Sequence, residues 1–201
     1  MFYTPVYVYS SVVNTGLFIG VFSHPAGVRL GSGKSVFCLK RLLKVYGSWS
    51  EARKYVVFTA EELLQLARGG GVRAVLWDDV GVWSHHCPKG FRGYLPEVRE
   101  RVGRLYLTAS GPSALPSWLR RELDYYVYIY RPHPFLGPTL PPGTARAYVL
   151  RGELRKYAEP EAVITFRLHF PFYREYGQMR EEYVSRALKL LARSLGSCGG
   201  R

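Results

Sequence analysis

The run Gly31-Ser32-Gly33-Lys34-Ser35 constrains this chain more than any other feature, because of what stands on either side of it. Upstream, Leu17 to Phe22 is a short apolar run with the length and composition of a buried strand. Downstream, Val36 to Tyr46 has helical apolar spacing and is closed by Gly47. A glycine-rich loop from strand to helix gathers backbone N–H groups and a helix N-terminus at one point, an arrangement that holds phosphate. Gly31 and Gly33 would let the backbone approach phosphate oxygens, Lys34 would reach the β and γ phosphates, and the Ser35 hydroxyl would ligate Mg²⁺. Ser32 and Val36 complete the expected phosphate-binding segment. The pattern departs from G-x-x-x-x-G-K-S at one place: Val28 stands where the first glycine belongs, and Gly27 comes one residue early. The alternative is a Gly-Ser turn with a lysine opening a helix.

A second motif complements the first. Ala74-Val75-Leu76-Trp77-Asp78-Asp79 is an apolar strand that ends in two acids, the other half of a Mg-nucleotide site. Asp78 at the strand tip would bind Mg²⁺, usually through water, and Asp79 would polarise the attacking water. Two exposed acids in a turn are the bland reading of the same residues.

Between and beyond these motifs, β and α signals alternate as in a mainly parallel sheet covered by helices. Strands are expected at 17–22, 54–58, 72–77, 104–108 and 125–130. Helices are expected at 36–46, from Thr59 to Gly69, at 96–102 and at 116–123. Residues 1–131 are thus expected to form an α/β core with a mainly parallel five-stranded sheet. Five prolines between Pro132 and Pro142 can continue neither a helix nor a central strand, so 132–144 reads as a connection. Residues 145–201 read as a small β/α extension, with strands at 145–150 and 162–170 and a terminal helix at about 176–195.

Composition narrows the function classes. With 47% hydrophobic and 21% charged residues the chain is neither disordered nor fibrous. The 28 Lys+Arg against 15 Asp+Glu leave a net charge of +13, spread along the chain rather than gathered in a tail, which points to a polyanion such as DNA or to simple solubility. Cys38, Cys87 and Cys198 are widely spaced and match neither a disulfide framework nor a zinc site, so the expected compartment is the cytoplasm. No apolar run is long enough to span a bilayer, so no membrane partner is expected. Scarcity of Asn and Gln suggests a thermophilic source. His85-His86-Cys87 is a poor metal site, being adjacent residues without a second cluster. Trp77, Trp83, Phe91 and Tyr94 interleave with Lys89 and Arg92, a pattern that fits either a stacking loop for single-stranded nucleic acid or ordinary packing.

Taken together, the order of motifs in the first 130 residues resembles that of P-loop ATPases with an additional strand between the Walker A and Walker B strands, as in AAA-type and DNA-pumping ATPases. The resemblance implies a P-loop NTPase sandwich, ATP and Mg²⁺ as cofactors, and hydrolysis coupled to translocation or remodelling of DNA or nucleoprotein. Those families usually carry glutamate in place of Asp79. The resemblance further implies that a polar residue after the fourth strand, Thr108 or then Ser110, senses the γ phosphate. It implies too that an arginine before the fifth strand, Arg120 or Arg121, reaches a neighbouring protomer's site in a homo-oligomer. Trp77-Asp78-Asp79-Val80-Gly81-Val82-Trp83, with Tyr173-Arg174-Glu175-Tyr176 and Met179-Arg180, looks more loosely like small ATPases of archaeal plasmids and viruses. A small nucleoside or nucleotide kinase, and a nucleotide-binding switch with little turnover, are the rival readings.

Overall fold

The computed structural model describes residues 16–28, 31–80, 90–132, 140–151 and 159–197. The expectations for Trp83, His85, His86, Cys87, Lys89 and Cys198, and for most of the proline-rich connection, lie outside these residues. Two compact units divide the chain, Met1–Leu168 and His169–Arg201.

In the first unit the strands are β1 (Leu17–Ser23), β2 (Val56–Val57), β3 (Val75–Trp77), β4 (Arg104–Ala109), β5 (Tyr125–Tyr130), β6 (Thr144–Arg151) and β7 (Ala162–Arg167). Its helices are α1 (Lys34–Tyr46), α2 (Trp49–Ala52), α3 (Ala60–Arg68), α4 (Leu95–Arg101) and α5 (Ser117–Arg120). All seven strands form one sheet in the order β2-β3-β4-β1-β5-β6-β7. The first five run parallel, and β4 lies between β1 and β3, so an additional strand separates the strand feeding the glycine-rich loop from the strand ending in Asp78. This is the order the resemblance implies.

The sheet has seven strands rather than the expected five, and the physical reason lies in β5. Its edge away from β1 would otherwise be an open row of backbone N–H and C=O groups along an apolar strand, Tyr126 to Tyr130, that lies buried. β6 covers that edge in antiparallel register from Tyr125↔Arg151 to Tyr130↔Arg146, and β7 pairs with β6 in turn. The strands beyond the prolines therefore continue the sheet instead of standing apart from it.

Local sequence explains most element boundaries. Thr59 caps α3 in a reciprocal box: its Oγ1 accepts from the Glu62 N–H (3.1 Å) while the Glu62 carboxylate accepts from the Thr59 N–H (3.2 Å), a device commonly worth about 1 kcal/mol. Gly47 ends α1 in the left-handed conformation. Phe18, Phe22, Leu63, Val75, Trp77, Leu105, Leu107 and Leu119 join sheet and helices in one core. At the sheet's lower edge, Arg99 stacks over Phe18 (4.2 Å) and donates to the Gly16 carbonyl (3.0 Å) and to Asp124 Oδ2 (2.8 Å), pinning the start of β1 to the start of β5.

The second unit enters through the edge-to-face pair Phe170 and Phe172 and consists mainly of α6 (Tyr173–Ser197), which carries Arg174 and Arg180. Among the described residues, no helix is long and apolar enough to cross a membrane.

Candidate functional site

β1 ends at Ser23, where the chain leaves the sheet at its upper edge. The His24 N–H donates to the Ile129 carbonyl (2.9 Å) and the Val28 N–H to the Arg131 carbonyl (3.1 Å), so the loop first runs along the end of β5. A Cβ on Gly27 would stand 3.0 Å from that Arg131 carbonyl. The close approach that demands a small residue thus falls at position 27, which accounts for the early glycine and for the valine at 28. His24 Nδ1 accepts from the Ala26 N–H (3.2 Å), its ring meets Tyr130 edge-on at 5.4 Å, and partial burial lowers its pKa below the ordinary histidine value.

The second half of the loop turns at Gly33, whose φ of 99° is left-handed, and the Gly33 carbonyl accepts the first α1 bond from Phe37. No side chain caps α1, and no acidic residue occupies its first turn. A 13-residue helix thus directs its first-turn N–H groups and positive dipole end to the end of the loop, beside Lys34. Lys34 Nζ donates to Ser23 Oγ (3.0 Å) and Ser32 Oγ (3.5 Å), and those two hydroxyls lie 3.1 Å apart. Ser23 and Ser32 are buried, so the lysine lies down against the loop on two neutral acceptors.

Across the sheet, Asp78 is fully buried at the tip of β3. Its Oδ1 accepts from Ser35 Oγ (3.0 Å) and from Thr108 Oγ1 (2.5 Å), which joins the first turn of α1, the end of β3 and the end of β4. Thr108 Oγ1 in turn accepts from the Asp79 N–H (2.8 Å). Asp79 is the only described non-glycine residue with positive φ, at 54°. That bond holds it in a conformation that costs an L-residue about 1 kcal/mol or more. The buried carboxylate acts at a distance as well: burial first, then the Asp78 charge, holds the Cys38 thiol of α1 well above its ordinary pKa, so the thiol stays neutral in the core.

No protein-family model matches this sequence, and no curated protein matches it. Among solved structures, the crystal structure of the N-terminal domain of zonular occludens toxin from Neisseria meningitidis is similar over 80% of this chain and 98% of that one, at 12% identity and a TM-score of 0.47.

The expected site residues therefore divide into two groups. Gly31, Ser32, Gly33, Lys34, Ser35, Asp78, Asp79 and Thr108 converge at the upper edge of the sheet, while Val36 is buried within α1. Thr108 is placed to fix the two acids: its one hydroxyl proton goes to Asp78, and one of its lone pairs takes the Asp79 N–H. Ser110 is exposed past the end of β4. Arg120 and Arg121 lie at the opposite edge. They lead into Asp124, whose N–H donates to the Phe18 carbonyl, and Phe18 is five residues, about 16 Å, below Ser23 along β1. Neither arginine is brought to the loop of its own chain.

Two groups at the loop were not foreseen from the sequence. Arg131, the first residue past β5, donates from Nη1 to the Gly31 carbonyl (2.9 Å). Leu168, just past β7, lies so close that a Cβ on Gly33 would be 2.3 Å from its Cδ2. Knowing the strand order would have exposed the first, because the residue after β5 must stand beside the residue after β1.

Asp78 and Ser35 offer two hard oxygen ligands, with Thr108 Oγ1 on the same Asp78 oxygen, a donor set that fits Mg²⁺, an ion that fills its octahedron with water and phosphate oxygens rather than a protein cage. Consistent with this, no cluster of three or more His, Cys, Asp or Glu able to hold a metal exists among the described residues.

Proposed function

We propose that the first unit binds Mg-ATP on residues 31–36 and hydrolyses it. The observation that carries this reading is the bond between Ser35 Oγ and the buried Asp78 carboxylate, beside the start of a 13-residue helix and a lysine held on two serines. Exchange of those neutral acceptors for phosphate oxygens strengthens each Lys34 bond into a charge-assisted one. Loop N–H groups and the α1 N-terminus take the β phosphate. Ser35 and Asp78 would hold Mg²⁺, which when bound neutralises charge on the β and γ oxygens. Asp79, oriented by its N–H bond to Thr108, accepts a hydrogen bond from the water that attacks phosphorus. The bond to the β-phosphate oxygen then breaks, and the water's proton leaves through Asp79 to solvent.

Coupling to DNA is the finer part of the proposal and rests on the net charge of +13 and on where part of it sits. Lys40 of α1 has its pKa lowered by partial burial and then by the Arg167 charge of β7, so these two cations act on each other. Phosphate release from ATP, measured with and without single- and double-stranded DNA, tests both parts. Release stimulated by DNA supports the full reading. Release indifferent to DNA leaves the ATPase alone, and transfer to a nucleoside or nucleotide instead of water replaces it with a kinase.

A further inference from the structure

The geometry points to Arg131 as the second cation of the phosphate site, supplied by the same chain that supplies Lys34. This assignment rests on the nucleotide reading above and adds the group that neutralises charge on the terminal phosphate. Three observations place it there. Arg131 is exposed, and its Nη1 sits 2.9 Å from the Gly31 carbonyl in the middle of the loop. Its backbone is held at the same point, because the Arg131 carbonyl accepts the Val28 N–H and a Cβ on Gly27 would stand only 3.0 Å from it. Its partner at that point is a neutral carbonyl.

A guanidinium carries five N–H donors in a planar fork, and the Gly31 bond uses one. The rest can meet phosphate oxygens while that tether holds, so binding needs no large movement of the arginine. A phosphoryl group in transfer spreads charge over three equatorial oxygens, and Lys34 alone covers few of them. Arg120 and Arg121, at the far edge of the sheet, leave that place in this chain to Arg131.

The test compares wild type with Arg131→Ala, Arg131→Gln and Arg131→Lys for ATP turnover, and for Mg-ATP against Mg-ADP affinity by competition with a fluorescent ATP analogue. We expect Arg131→Ala and Arg131→Gln to lower turnover at least about a hundredfold and to lose the preference for triphosphate over diphosphate, with ADP affinity within threefold of wild type. Arg131→Lys retains part of both, and free guanidinium ion partly restores Arg131→Ala. Arg131→Gln is decisive, because its amide can still donate to the Gly31 carbonyl but brings no charge. Activity of that variant within twofold of wild type reduces Arg131 to a loop tether and overturns the assignment. Wild-type protein that binds no Mg-ATP overturns the nucleotide reading itself, a result separable from the first because it does not depend on any variant.

Discussion

Thr108 donates its hydroxyl hydrogen bond to Oδ1 of Asp78 across 2.5 Å, and both side chains are completely buried. The same oxygen on Thr108 receives the Asp79 N–H, so one side chain from β4 sets the position of both acids at the end of β3. Thr108→Val keeps the shape and removes both bonds. It removes the acceptor of the part-buried Asp79 N–H and takes one hydroxyl from a buried carboxylate. A loss of about 1–3 kcal/mol is expected, read as a lower denaturant midpoint at unchanged slope, with Thr108→Ser recovering most of it.

Lys34→Ala should separate chemistry from folding. Lys34 meets two serine hydroxyls that can bond each other at 3.1 Å when it is gone, so the thermal midpoint is expected to stay within about 3 °C. ATP turnover should vanish in the same preparation. Normal turnover at normal stability would sink the site.

The two acids should fail differently. Asp79→Asn retains its backbone bond to Thr108 and should bind Mg-ATP while losing hydrolysis, whereas Asp78→Asn should raise the Mg²⁺ concentration needed for ATP binding. A titration of nucleotide binding against Mg²⁺, beside single-turnover phosphate release, distinguishes them.

Acid should loosen the loop through His24. Burial lowers its folded pKa, and Nδ1 accepts the Ala26 N–H only while that nitrogen is unprotonated. Well above pH 6.5 neither folded nor unfolded chain binds a proton there, and stability from this group is flat. Below it the unfolded chain binds first, so stability falls as pH drops toward the lower folded value. His24→Asn, whose Oδ1 can stand in for Nδ1, should flatten that limb in denaturant midpoints taken from pH 7.5 to 5. An unchanged slope assigns the pH dependence elsewhere.

Gly33→Ala meets two obstacles at once: a φ of 99° and Leu168 Cδ2 2.3 Å from the new methyl. We expect a destabilisation of about 2 kcal/mol or more, of which Leu168→Ala in the same chain recovers the steric part but not the backbone part, about 1–2 kcal/mol. A double-mutant cycle on midpoints measures the split.

Much of this site was legible because its motifs are local. Gly31 to Ser35 is contiguous, Asp78 and Asp79 end an apolar run, and each motif has a distinctive residue pattern. Strand order was legible only through resemblance, since pairing of β4 between β1 and β3 is a non-local choice made by the core. The places where sequence reasoning fell short share that cause. Arg131 and Leu168 reach the loop across the sheet from 100 residues or more away, and nothing in their own neighbourhoods marks them. The terminal strands read as an appendage because prolines near 132–142 break local structure, yet a break in the backbone says nothing about which edge the next strand will seek. Short strands shifted for the same reason: Arg53 to Tyr55 form a 3-10 turn, so only Val56 and Val57 of the expected 54–58 pair with β3.

The contact of Gly33 with Leu168 carries a consequence for descent. A lineage that shed everything after the prolines would keep every residue of the loop motif, yet it would strip the loop of its wall and bare Phe37, which packs edge-on against Phe166 at 5.4 Å. The strand pair β6–β7 and the glycine-rich loop should therefore be inherited together, and substitutions at 168 should track those at 33.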